Sequence, residues 1–243
     1  DYEIEMIKTA ARYADKGIRQ MYKNATEGMY EYELAADFAH VLAKSGLGAP
    51  AFDSIVAAGE NFNYLHYPQL DGKIAGNDLI LVDVGASFNG LNSDISRAFP
   101  VSGEFSDKQL AVYNIVRMCQ QRAFEFLKPG VYIKEVNEEC KKCAAKELIA
   151  IGLINEEKDI AKYYWHNVSH HLGLDVHDIC SRDVMLQKGM VITVEPGIYI
   201  PEWKVGLRIE DDVLITDNGC EILSSEIPRE AKEIEDLIKE LRN

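Results

Sequence analysis

Apolar residues open the chain at three- and four-residue steps, through Ile4, Ile7, Ala11, Ala14, Ile18 and Met21. That spacing lines one face of an α-helix. A second run over residues 32–44 carries Leu34, Phe38, Val41 and Leu42 and ends at Gly46. Ser106-Asp107-Lys108-Gln109 has the form of a capping box, which satisfies two orphan N–H groups at a helix start. It predicts a third helix to about residue 127, ended by Pro129-Gly130. A fourth covers 133–151 and stops at Gly152, and a charged helix over 229–241 closes the chain. After each helix pair, Gly76 and Gly189 precede hydrophobic runs that read as strands. The order helix-helix-sheet, given twice, predicts an α+β fold with helices on one face of a curved mixed sheet.

Both sheet segments read as hairpins. Asn89-Gly90 in the first is a strong turn signal, because a type I′ turn needs positive φ at both central residues. If Phe88 pairs with Leu91, Asp83 faces Ser96 and Asp94 is its diagonal neighbour on one face. In the second hairpin, pairing Ile200 with Val205 sets Glu195 opposite Glu210. Like charges facing each other destabilise a sheet, so two such acid pairs ask for a cation. The hairpins also match each other, Asp83-Val84-Gly85 against Glu195-Pro196-Gly197. His66 stands 17 residues before the first acid and His177 stands 18 before the second. The match predicts an internal duplication whose pseudo-twofold axis brings both hairpins to one site.

The 243 residues suit one large domain or two small ones, and the net charge of −14 disfavours nucleic acid, where affinity rests on neutralising phosphates. No run of 18 apolar residues or signal peptide is visible, so no membrane partner is expected. Five scattered cysteines do not form a disulfide framework, and reduced cysteines fit a cytoplasmic protein. Cys140 and Cys143 fall on one face of the fourth helix and read as structural. Four of the six histidines crowd into HNVSHHLGLDVHD, beside the second acid hairpin, and histidine is the usual metal ligand and neutral-pH acid or base. His40 has no acidic partner in its pattern and reads as structural.

HNVSHHLGLDVHD, LVDVGASFNGLNSDISRAFPVSG, MVITVEPGIYI and GLRIEDDVLIT together resemble the pita-bread metallopeptidases, and among these the catalytic domain of aminopeptidase P. The resemblance runs from the first helix nearly to the last. It implies a pita-bread fold over residues 1–243 as one catalytic domain, with the domain that usually precedes it in relatives absent. It implies five ligands, Asp83, Asp94, His170, Glu195 and Glu210, for two divalent ions. It also implies catalytic roles for His66 and His177, a further active-site histidine at His166, and Arg208 paired with a ligand carboxylate. His171 stands where an aromatic residue is common in relatives, and is expected to line the pocket.

An oxygen-rich donor set favours Mn²⁺, with Co²⁺, Zn²⁺ or Fe²⁺ as alternatives. Two such ions can polarise a carbonyl and acidify a water. Glu195 would then move the proton, while His66 and His177 steady the oxyanion. The expected reaction is removal of the N-terminal residue from short peptides with proline second, and the resemblance is compatible with a homodimer. A dipeptidase confined to Xaa-Pro dipeptides is the alternative within the family. A metal-free binding module on the same fold is the alternative from another class, and the persistence of all five ligands counts against it.

Overall fold

The computed structural model describes residues 2–180 and 184–243. The expected helices are present as α1 (Tyr2–Asn24), α2 (Glu31–Lys44), α3 (Asp107–Phe126), α4 (Ile133–Ala150) and α5 (Ala231–Arg242). The capping box forms as read: Ser106 N donates to Gln109 Oε1 at 2.9 Å, and Gln109 N donates to Ser106 Oγ. α1 and α2 cross where Gly17 meets the Phe38 ring. A Cβ on Gly17 would stand 2.3 Å from that ring, so the crossing needs glycine. The core is nearly continuous, with Ile18, Met21, Leu34 and Phe38 from the first helix pair and Val116, Cys119, Ala144 and Leu148 from the second.

Each helix pair leads into a three-stranded sheet. The first holds β1 (Ile55–Ala58), β2 (Leu79–Val84) and β5 (Ile95–Pro100) in the order β1-β2-β5. The second holds β6 (Val191–Val194), β9 (Asp211–Ile215) and β10 (Cys220–Ile222) in the order β10-β9-β6. The hairpin tips form separate ladders, β3 (Ser87–Phe88) with β4 (Leu91–Asn92), and β7 (Gly197–Ile200) with β8 (Val205–Arg208). These ladders are all antiparallel; hairpin turns impose this within each hairpin, while β1 reaches β2 through a longer connection. The α+β order holds, and the parallel pairing that a mixed sheet would add is not among these ladders.

The registers follow from the turns. Asn89 and Gly90 have φ of 53° and 84°, Phe88 pairs with Leu91, and Asp83 faces Ser96. Ile200 pairs with Val205, and the tip closes through Lys204 at φ 55°. Both hairpins then break, the second two residues further from its tip than the first. In the second, Pro196 has no N–H to donate, so only the Ile209 N to Pro196 O bond (3.3 Å) crosses the gap. The register is the same on both sides, so Glu195 stands opposite Glu210 as expected, inside the gap between the two ladders. In the first, Gly85 comes so close to Ser93 O that a Cβ would lie 2.2 Å away, and Asp94 follows immediately.

The two halves meet at their hairpins. Aligning Leu91 with Val205, the first residue after each turn, equates Ser96 with Glu210 and Arg97 with Asp211. Glu210 N donates to Ser96 O at 3.0 Å, and Arg97 Nη2 pairs with Asp211 Oδ1 at 2.9 Å with both side chains fully buried. Equivalent positions thus touch, as expected where a pseudo-twofold axis passes between duplicated hairpins.

Candidate metal centre

The strand breaks aim carboxylates at one point. Asp83 is the last residue but one of β2, Asp94 precedes β5, Glu195 follows β6 and Glu210 precedes β9. The histidine segment runs alongside β6 as an irregular extra strand, through Glu195 N to Val168 O, Thr193 N to His170 O and Leu172 N to Val191 O. This carries His170 to the cluster. Its Nδ1 lies 3.1 Å from His171 O, so Nδ1 carries the proton and Nε2 is left as a free lone pair. Nε2 lies 3.3 Å from Asp94 Oδ2, 3.7 Å from Glu195 Oε1 and 3.9 Å from Glu210 Oε1.

The donor set fits a divalent cation. Ligand atoms of Asp94, His170 and Glu210 all lie within 4.8 Å of one another. Asp83 Oδ1, Asp94 Oδ1 and Glu210 Oε1 are buried with no hydrogen-bond partner. Three unpaired carboxylate oxygens in one buried place are costly unless a positive charge joins them. Asp83 is held otherwise, since Arg208 Nη2 donates to its Oδ2 at 2.5 Å. Arg208 Nε donates to Ser96 Oγ at 2.8 Å, and Ser96 Oγ donates to Glu210 Oε2 at 2.8 Å. One chain of hydrogen bonds therefore sets an acid from each hairpin.

Electrostatics agree with the geometry. Burial, then the charges of Asp83, Asp212 and Glu195, hold Asp94 well above the usual carboxylate range. Burial with Asp94 and Glu195 nearby does the same to Glu210. Glu195 is pushed up to about 7, chiefly by burial. His166 is pushed down to about 4 by burial and Arg208. It is therefore neutral, its Nδ1 bonding Asn167 O and its Nε2 2.9 Å from the Tyr199 hydroxyl. His177 is lowered by burial and by His170, against which its ring stacks edge-on at 4.3 Å.

Raised carboxyl values mean that the folded, metal-free chain binds protons more tightly than the unfolded one. This contributes stability below the ordinary Glu value of 4.5, and the contribution is lost as pH rises through about 7. Thermal melts of chelator-treated protein should therefore fall between pH 4.5 and 7 for this group, and metal should restore most at the upper end. A metal-free melting temperature rising over that window would contradict the site's electrostatics.

Two cavities meet here. A cavity of about 280 Å³ is lined by His66, His166, His170, His177 and Arg208 with the four acids. A larger one, about 900 Å³, shares His66, Asp83, Asp94 and His177 and extends along Phe52, Ile55, Tyr67, Leu70 and Val176. His171 lines neither; its backbone bridges Ile192 beside β6, so it is not the pocket residue expected from the sequence. His40 is exposed on α2 and lines neither as well. Cys140 is buried on α4, donating to Cys119 O at 3.4 Å, and among the described residues it joins no metal cluster.

Sequence reading missed the polar residues behind the cluster. Gln120, fully buried on α3, donates through Nε2 to Ile209 O (3.2 Å), Val194 O (3.3 Å) and Asp211 Oδ2 (2.8 Å). It supplies the donor that Pro196 lacks. Arg97 places all five of its N–H groups, on Pro228 O, Ser96 O, Glu210 O, Asp211 Oδ1 and Ile227 O. Asp212 accepts from the backbone N of Asp94 at 3.1 Å. No spacing in the sequence signals these contacts, which, apart from Arg97 to Ser96 O, join positions more than 70 residues apart.

Comparison with known proteins points the same way. The model of metallopeptidase family M24 matches residues 5–217. The Xaa-Pro aminopeptidase of Haemophilus influenzae is 36% identical over 97% of this chain and 59% of its own length. The Xaa-Pro dipeptidase of Pyrococcus furiosus is 40% identical over 91% of this chain and 61% of its own. Among solved structures, the aminopeptidase PepP of Pseudomonas aeruginosa superposes with a TM-score of 0.95 at 36% identity, over 99% of this chain and 59% of that one. A zinc-substituted E. coli aminopeptidase P in complex with product gives 0.94 at 33%, with the same coverage. The chain spans about three fifths of the length of these relatives. It belongs to metallopeptidase family M24, with the pita-bread fold of aminopeptidase P.

Proposed function

We propose that residues 1–243 act as one catalytic domain that hydrolyses the bond between an N-terminal residue and a following proline. The observation that carries this reading is the set of buried, partnerless oxygens on Asp83, Asp94 and Glu210 around His170 Nε2. Asp83, Asp94, His170, Glu195 and Glu210 would hold two divalent ions, with Mn²⁺ favoured by so many oxygen donors. Such ions supply Lewis-acid polarisation of the scissile carbonyl and a more acidic water.

The protein's own groups handle the rest. Glu195, with its Oε1 3.7 Å from His170 Nε2 at the edge of the cluster, is placed to accept a proton and pass it on. It takes the proton of the attacking water and returns it to the proline nitrogen, which must leave as an amine. His177 and His66 donate to the oxygen that gains charge in the tetrahedral intermediate. His166, kept neutral and fixed by Tyr199, borders Glu195, its Nδ1 lying 3.7 Å from Oε2. Arg208 holds Asp83 in its ligand position. The larger cavity has room for the peptide beyond the scissile bond, lined by apolar groups suited to proline. No helix among the described residues is long and apolar enough to cross a membrane. The odd number and wide scatter of the cysteines in the sequence support our placing the protein in the cytoplasm.

The dipeptidase reading is kept because the Pyrococcus relative has the higher identity of the two named proteins. The complete protein, loaded with Mn²⁺, should be offered an Xaa-Pro dipeptide and an Xaa-Pro-Yaa tripeptide side by side. We expect release of the first residue from the tripeptide. Cleavage of the dipeptide alone would move the assignment to a dipeptidase, and cleavage of neither by fully metallated protein would remove it.

A further inference from the structure

His66 is exposed and lies on no regular element, so something else must fix its place in the wall shared by the two cavities. We propose that Glu31, at the start of α2, is a positioning residue for His66, its buried carboxylate tying together both ends of the segment that carries the histidine. This rests on the role given to His66 above.

Glu31 is fully buried. Its Oε1 accepts from Ala58 N at 2.7 Å and Asn61 Nδ2 at 2.8 Å, at the entry to the segment. Its Oε2 accepts from Gly72 N at 2.7 Å, at the exit. Glu31 N also donates to Gly72 O at 3.1 Å. Hydrogen bonds to an ionised carboxylate are short and strong, and these three converge from opposite ends of 58–72. The approach is tight: a Cβ on Gly72 would stand 2.5 Å from both Glu31 Oε2 and Asn61 Nδ2. Other ties hold the middle of the segment: Phe62 and Tyr67 are buried with Ile55, Leu81 and Tyr199, and Lys204 pairs with Glu60 at 2.5 Å. Arg208 Nη1 reaches Leu65 O at 3.4 Å, and the Phe62 ring packs against Gly206. With its ends drawn together, the segment is a closed loop, and the freedom of His66 is cut before substrate arrives. A glutamine at position 31 would turn an NH₂ group toward one of the N–H donors and open one end of that loop.

The test is a double-mutant cycle in the complete protein at matched metal occupancy, with kcat/KM on an Xaa-Pro-Yaa peptide as readout. Glu31→Gln should lower kcat/KM by about tenfold or more. In a His66→Ala background the same change should cost less than twofold, because the group being positioned is gone. Should Glu31→Gln fail to fold, Asn61→Ala removes one of the three donors and enters the same cycle, with a smaller loss and the same dependence on His66. A loss that persists undiminished beside His66→Ala overturns the proposal alone, as does wild-type activity in Glu31→Gln. A silent His66→Ala overturns the role of His66 and this proposal with it.

Discussion

Glu195→Gln should lower turnover by at least ~100-fold while leaving the fold intact. The side chains have nearly the same shape, but an amide cannot take up the proton of water at neutral pH. The surroundings explain why a carboxyl group is suited to this place. In the metal-free chain burial pushes Glu195 up to about 7, and bound cations would draw it back toward the ionised form that accepts a proton. The variant should be assayed beside a measurement of bound metal, because Glu195 also stands 3.7 Å from His170 Nε2. Turnover near the wild-type value in a fully metallated variant would end the proton-transfer role.

Asp94→Asn should act in opposite directions on the two forms of the protein. Without metal, Asp94 is a buried acid among other acids, with one oxygen unpartnered. Replacing it by a neutral group of equal size removes repulsion, and the melting temperature of chelator-treated protein should rise by about 2–6 °C. With metal, the wild type should gain roughly 10 °C when the ion is in ~1,000-fold excess over its dissociation constant. The variant should lose most of that gain and nearly all activity. Calorimetry with chelator and then with Mn²⁺ reads both effects on one sample. An equal metal-induced rise in variant and wild type would exclude Asp94 as a ligand.

Much of this architecture was legible in the residues, for definite reasons. The long helices announce themselves because burial on one face forces a 3.6-residue period, and the capping box at Ser106 fixes one start to the residue. Asn89-Gly90 fixes a register, and a register fixes which acids share a face. What the chain hid follows from the same physics. β1 is Ile-Val-Ala-Ala with every residue buried, so no alternation marks it, and β10 has only three residues. The strand-like path of the histidine segment depends on pairing with β6, which no local pattern encodes. Gln120 and Glu31 sit on helix faces where a polar residue normally reads as solvated; their acceptors and donors lie on distant segments. His171 misled because its neighbours in sequence line the cluster, while the bridge to Ile192 ties its own backbone to the β6 side.

The meeting of the two hairpins has a consequence for how such a molecule can be assembled. In a symmetric dimer, a residue on the axis meets its own copy. Two copies of the first half would bring guanidinium against guanidinium at Arg97, and hydroxyl against hydroxyl at Ser96. Two copies of the second would crowd Asp211 on Asp211 and Glu210 on Glu210, with no arginine between them. Only the unlike halves give the Arg97–Asp211 pair and the Ser96–Glu210 bond at the centre. A buried charge facing its like, out of reach of water, is among the most costly arrangements a core can contain. Joining the halves in one polypeptide fixes their stoichiometry at one to one, so neither half is left to pair with itself.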